Sequence, residues 1–128
     1  MTSIFVNLPV ADVAAARAFY TGLGYTANEQ YSGDQSACMV LNDAVNAMLM
    51  SETHFREFID KDIADTRKTT GAIFALNVAS RAEVDEVADK ALALGGSEPK
   101  PPQDHGFMYV RTFADLDGHH WELATFAG

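Results

Sequence analysis

The chain carries one structural plan twice, and that repetition limits the folds open to it more than any other feature. The run IFVNLPV at 4–10 leads into Asp12 and then VAAARAFYTGLGY; from residue 72 the chain reads AIFALNV, then Ser80-Arg81-Ala82-Glu83 and VDEVADKALALGG. Each begins as a β-branched, apolar run typical of a strand and continues with a helical period. In the first copy Asp12 supplies an N-cap, Val13, Ala16, Tyr20 and Leu23 share one helical face, and Gly24 offers a left-handed end. In the second, Ser80 with Glu83 fits a capping box, Val84, Val87, Ala88, Ala91 and Leu94 form the apolar face, and Gly95 and Gly96 end it. Leu8 to Leu76 and Val10 to Val78 are both 68 positions apart, whereas Gly24 to Gly96 is 72, so the second helix is longer by about one turn (~3.6 residues).

Short strand candidates follow each helix: TANEQYS, SACMVLN and AVNAMLMS in the first half, GSEPKP, FMYVRTF and HHWELATF in the second. Each half is therefore one β-α-β-β-β module, and the fold class is α+β. The first module covers about residues 1–51 and the second about 71–128, with a polar, partly helical connector at 52–70 around Phe55, Phe58 and Ile59. At 128 residues and 48% apolar composition, both modules belong to a single domain of ordinary size.

Charge narrows the partners. With 18 acidic residues against 9 basic, the formal charge of -9 repels phosphate backbones and anionic lipid, so neither nucleic acid nor a membrane is an expected partner. Charges interrupt every apolar run before it reaches spanning length, and no basic leader precedes the first strand. The single Cys38 cannot form an internal disulfide, which suits a reducing compartment, and a cytoplasmic location is expected.

The last strand candidate sits in DLDGHHWELATF, residues 115–126. Together with LPVADVAAARAFYTGLGY and the duplicated plan, this motif resembles the vicinal oxygen chelate superfamily, which includes glyoxalase I, extradiol dioxygenases, and the bleomycin and fosfomycin resistance proteins. The resemblance covers nearly the whole chain. It implies modules that curl into half-barrel sheets with helices outside, a cavity for a small molecule, often a divalent metal, and a homodimer. It also implies metal ligands on the first and last strands, at positions that count to Phe5 and Ile73, and to Leu49 and Glu122, here. Three of those four are hydrocarbon, and one carboxylate cannot satisfy a hard divalent ion, so no metal cofactor is expected.

Strand alternation places His120, Glu122 and Ala124 on one face, with His119, Trp121 and Leu123 on the other. His120 and Glu122 alone could hold no more than an adventitious cation. Phe5, Asn7 and Pro9 likewise oppose Ile4, Val6, Leu8 and Val10, and Ile73, Ala75 and Asn77 oppose Ala72, Phe74, Leu76 and Val78. A hairpin reversing between Leu116 and Asp117 puts Arg111 opposite Glu122, either as an ion pair replacing the metal charge or as an exposed cross-strand pair. The expected ligand pocket thus comprises Phe5, Asn7, Leu49, Ile73, Asn77, Tyr109, Arg111, His120 and Glu122. A Pro-rich lip at 98–109 brings Gln103, Asp104 and His105 near it. Met39, Met48 and Met50 read as core filler and Cys38 as a buried, inert thiol.

Three functions fit these residues. One is non-metal binding or sequestration of a small molecule, cationic or planar, in an acidic, aromatic-lined cavity. Another is a lyase, isomerase or dioxygenase-type enzyme on a small oxygenated substrate, with Glu122 as candidate catalytic base. The third is a structural dimer whose cavity is closed by Phe5, Leu49 and Ile73. The favoured expectation is ligand binding.

Overall fold

Both halves of the chain fold as strand, helix and three further strands. The computed structural model describes residues 2–126, in two units, Met1–Ala64 and Asp65–Gly128. The first contains β1 (Ile4–Val10), α1 (Val13–Gly22), β2 (Thr26–Asn28), β3 (Ser36–Val40) and β4 (Val45–Ser51), then the short helix α2 (Glu52–Phe55) and a 3₁₀ turn at Arg56–Phe58. The second contains β5 (Ile73–Asn77), α3 (Arg81–Ala93), β6 (Gln103–Asp104), β7 (Tyr109–Ala114) and β8 (His120–Thr125). Each unit has an open, mixed four-stranded sheet, ordered β1-β4-β3-β2 and β5-β8-β7-β6, in which the first strand runs parallel to the last. No described helix is long and apolar enough to cross a membrane.

The helices begin and end as their sequences dictate. Asp12 Oδ1 accepts from the Ala15 N–H at 3.0 Å, and Ser80 Oγ from the Glu83 N–H at 3.2 Å. The Glu83 carboxylate accepts from the Ala79 N–H at 3.4 Å, one residue before the cap. At the other ends, the N–H of Tyr25 donates to the Tyr20 carbonyl and that of Gly24 to Thr21; Gly96 and Gly95 repeat the pattern on Ala91 and Leu92. Gly24 and Gly95 have φ of 111° and 102°, which this closure requires. The helices span 10 and 13 residues, so the second has most of the extra turn.

One face of each sheet lies beneath its helix. Leu8, Val10, Ala16, Phe19, Tyr20 and Leu23 are buried in the first unit, and Val84, Ala88, Ala91, Phe113, Trp121 and Leu123 in the second. Trp121 is the centre of the latter group, stacked on Phe113 with ring centroids 6.2 Å apart and tilted against Phe74 at 5.0 Å. Burying each large side chain contributes about 1.5–3 kcal/mol, enough to hold an amphipathic helix on its sheet. Leu94, expected on the apolar face of α3, is 39% exposed because it lies at the C-cap, where the helix turns off the sheet.

Two strand expectations need correction. GSEPKP is not a strand: Ser97 alone makes an isolated bridge, to Ala114, and the pairing strand is β6 at Gln103–Asp104. Pro99, Pro101 and Pro102 lack the N–H groups that a ladder needs. The alignment of β4 on β8 also slips by one residue. Leu8 pairs with Leu49 as Leu76 pairs with Leu123, so the partner of Glu122 in the first unit is Met48. Leu49 is fully buried on the helix side, and as an open-face pocket residue it is withdrawn.

Candidate functional site

The turn in DLDGHHW is built for structure. Five residues, 115–119, separate the paired Ala114 and His120. Asp115 Oδ1 accepts from the N–H groups of Asp117 and His119 at 3.0 and 2.9 Å, and the Gly118 N–H donates to the Asp115 carbonyl at 3.1 Å. Gly118 has φ of 87°, and a Cβ there would meet the Thr66 carbonyl carbon at 2.7 Å and Arg67 Cα at 2.9 Å. The segment pressed against it is tied down by Thr66 Oγ1 donating to the Asp117 carbonyl (2.6 Å) and Arg67 to that of Leu116 (3.1 Å).

An odd number of loop residues centres the hairpin on Asp117 rather than between Leu116 and Asp117. Thr112 therefore faces Glu122, and Arg111 faces Leu123. That shift overturns the expected Arg111–Glu122 pair, because neighbouring residues of a strand point to opposite faces. Arg111 lies on the helix side, 8% exposed, where Nη1 donates to Asp89 (2.8 Å) and Asp85 (3.2 Å) and Nε and Nη2 grip Glu98 (3.2 and 3.0 Å). Burial opposes its charge, but the bonds to Asp89, Glu98 and Asp85 prevail and push its pKa up. Tyr109 points the same way, its hydroxyl donating to Asp85 at 2.6 Å, a bond that with burial raises its pKa. Tyr109 and Arg111 are thus fastened to α3 and leave the expected pocket.

What remains on the open face of the second sheet is a small cavity of about 150 Å³, lined by Ile73, Lys100, Pro101, Gln103, Val110, Thr112, His120 and Glu122. The structure brings together Ile73, His120 and Glu122, as alternation along β5 and β8 requires. Asn77 is exposed on the same face but does not line the cavity. Thr112 Oγ1 accepts from the Lys100 N–H at 3.2 Å and contacts its carbonyl at 3.3 Å, which ties the Pro-rich segment to the cavity wall. Among the described residues, no side chain donates a hydrogen bond to the Glu122 carboxylate. Lys100 and Thr112 were missed from sequence; a five-residue turn would have pointed to Thr112. Of the lip residues, Gln103 lines the cavity, while Asp104 is held bidentately by Arg81 at 2.7 and 2.9 Å. That guanidinium, with the Gly106 N–H, holds the Asp104 carboxyl well below the usual range. His105 packs near Phe107, ring centroids 6.2 Å apart.

In the first unit, Phe5 and Asn7 are exposed on the open face of β1, beside Asn46 and Met48 of β4. Met39 and Met50 are buried, and Cys38 is fully buried, so desolvation raises its thiol pKa. Among the described residues, no three His, Cys, Asp or Glu side chains are grouped so as to hold a metal ion.

These features define a duplicated β-α-β-β-β class of protein whose open sheet faces mix polar and apolar residues. The sequence profile of the glyoxalase/bleomycin resistance protein/dioxygenase superfamily matches residues 4–123, and the chain belongs to that superfamily. A hypothetical protein from S. aureus is similar in structure, with a TM-score of 0.83 at 25% identity, over 98% of this chain and 94% of that one. A solution structure from Agrobacterium tumefaciens gives 0.74 at 26% identity, over 100% and 99%. The fosfomycin resistance protein FosX from Listeria monocytogenes shares the fold at 0.71 and 21% identity, over 99% and 94%. No curated protein matches the sequence significantly.

Proposed function

We propose that the chain binds a small oxygenated molecule at the Glu122 cavity without a metal ion. The observation that carries this reading is the cavity wall, which sets Glu122, His120, Gln103 and Thr112 beside the apolar Ile73, Pro101 and Val110 around about 150 Å³. That volume is roughly five waters, below the ~300 Å³ of common ligand sites, so the occupant is small or only partly enclosed. The donor set does not fit the family's hard divalent ion. Phe5 and Ile73 have no lone pair, and the corrected counterpart of Glu122, Met48, offers only a weak, soft thioether.

A second reading is proton-transfer catalysis by Glu122. The position of Glu122 favours it: its carboxylate lines the cavity, and Arg111, expected beside it, is committed to the opposite face. A thermal-shift screen of small hydroxylated and carbonyl compounds, with elemental analysis of the gently purified protein, tests the first reading. Hits should raise the Tm of the wild type and fail with Glu122→Gln, while stoichiometric Mn, Fe, Ni, Co or Zn would overturn metal independence. Hits incubated in D₂O then decide the second: C–H exchange that Glu122→Gln abolishes makes the protein an enzyme. We also infer a homodimer, supported by the exposure of Ile4 (53%), Phe5 (44%) and Ile73 (54%) on first strands that have one sheet neighbour each.

A further inference from the structure

We propose that the second unit has an anion-binding cleft between the Thr66–Thr70 segment and the β7–β8 turn, accepting a phosphate or carboxylate group of a small molecule. The cleft is distinct from the Glu122 cavity and larger, about 420 Å³. It is within the ~300–1,000 Å³ range of sites that hold whole metabolites. Its wall includes Arg67, Lys68, Thr70, Ser97 and His120.

Charge and hydrogen bonding both point to an anion. The Thr66–Thr70 segment brings Arg67 and Lys68 and no carboxylate to the cleft, in a chain of net charge -9. The segment is preorganised, because the N–H groups of Lys68 and Thr69 both donate to the Asp65 carbonyl at 3.0 Å, and Thr66 and Arg67 are bonded to the hairpin turn. Its scaffold thus consumes the Thr66 hydroxyl and much of Arg67. The Thr70 and Ser97 hydroxyls have no hydrogen-bond partner among the described residues, and the Lys68 ammonium has only a 4.0 Å contact with Asp65. The acid that lines the cleft, Asp115, already accepts two backbone N–H groups on Oδ1. The Lys68 ammonium and the two hydroxyls can therefore donate to one acceptor-rich group, and the charge on Lys68 favours a negative one. His120 lines both spaces and so is shared by the cleft and the smaller cavity.

The test is a ¹⁵N NMR titration of the intact chain with inorganic phosphate and, separately, acetate, at constant ionic strength. Saturable shifts of the 67–70 and Ser97 amides and of the His120 ring are expected with at least one anion, and the tighter one identifies the preferred group. Lys68→Gln, a change at a side chain 82% exposed, should weaken that binding about tenfold through loss of a charge-assisted bond, with Thr70→Val also weakening it. Lys61→Gln removes the same charge outside the cleft and should leave binding unchanged. Absence of saturation with both anions, shifts confined to other residues, or equal weakening by the two lysine changes would overturn the proposal. Glu122→Gln should retain the titration, which separates this inference from the reading of the smaller cavity.

Discussion

Replacing Arg111 by Met tests the hairpin register through its energetic consequences. The guanidinium side chain is 9% exposed, while its partners Glu98, Asp85 and Asp89 are 25%, 46% and 69% exposed. The two aspartates are well solvated, so each bond to them is worth about 0.2–1 kcal/mol. The two bonds to Glu98, both on Oε2, are better shielded and together contribute about 1.5–2 kcal/mol. Met preserves most of the apolar stem contact, which leaves a net loss of about 2–4 kcal/mol. For a chain of this size that lowers Tm by roughly 8–15 °C. Urea and thermal unfolding followed by circular dichroism should show this loss, and a double-mutant cycle locates it. Arg111→Met with Glu98→Gln should show coupling of about 1–2 kcal/mol, whereas Arg111→Met with Glu122→Gln should be additive within about 0.5 kcal/mol. Coupling to Glu122 and none to Glu98 would place Arg111 on the open face and refute the register argued above.

The Asp104 carboxyl, depressed by Arg81, should titrate well below its ordinary 3.8 in carboxyl-detected NMR and move back toward that value in Arg81→Gln. Because its folded pKa is lowered, the stabilisation it brings is complete above the ordinary carboxyl pKa and is lost as pH falls from there through the folded value; a wild type and Arg81→Gln with identical acid unfolding would contradict this. Gly118→Ala should destabilise by about 3 kcal/mol or more, combining the positive φ with the collision against Thr66, as chemical denaturation can measure. Sedimentation at micromolar concentration should give a dimer, and a monomer there would remove the homodimer reading.

Local signals were legible in the sequence and pairing signals were not. Asp12, Ser80, Gly24 and Gly95 act within a few residues of themselves, so their chemistry identified helix ends without knowledge of the rest. Alternation along β8 was equally plain, since apolar and polar residues take turns there, and in β1 and β5 a single asparagine, Asn7 or Asn77, marked the open face. It fails in β4, where Ala47, Leu49 and Met50 are all buried and Met48 is half-buried. With both faces apolar, the pattern carries no phase, and Leu49 was exchanged for Met48. Arg111 was misplaced for a different reason: its facing depends on whether the turn holds an odd or even number of residues. The Asp115 carboxylate that decides this serves backbone amides and leaves no periodic trace. Asp85 and Asp89, one turn apart on α3, were the available hint that the helix meets a cation.

The strand order has a consequence for how each unit assembles. In both sheets the strand that comes last in sequence, β4 or β8, lies between the first strand and the rest. The opening strand of each unit therefore waits, unpaired, while about 40 residues or more of chain are laid down, because its partners are Val45–Ser51 for β1 and His120–Ala124 for β5. Hairpins close in microseconds, and distant parallel pairings come later. The expected sequence of events is formation of β3–β4 or β7–β8, followed by capture of β1 or β5. In the second unit the Thr66–Asp117 clasp, 51 residues apart, joins at that same late stage. Residues 66–67 thus close a chain loop about as long as the one that the pairing of β5 with β8 closes.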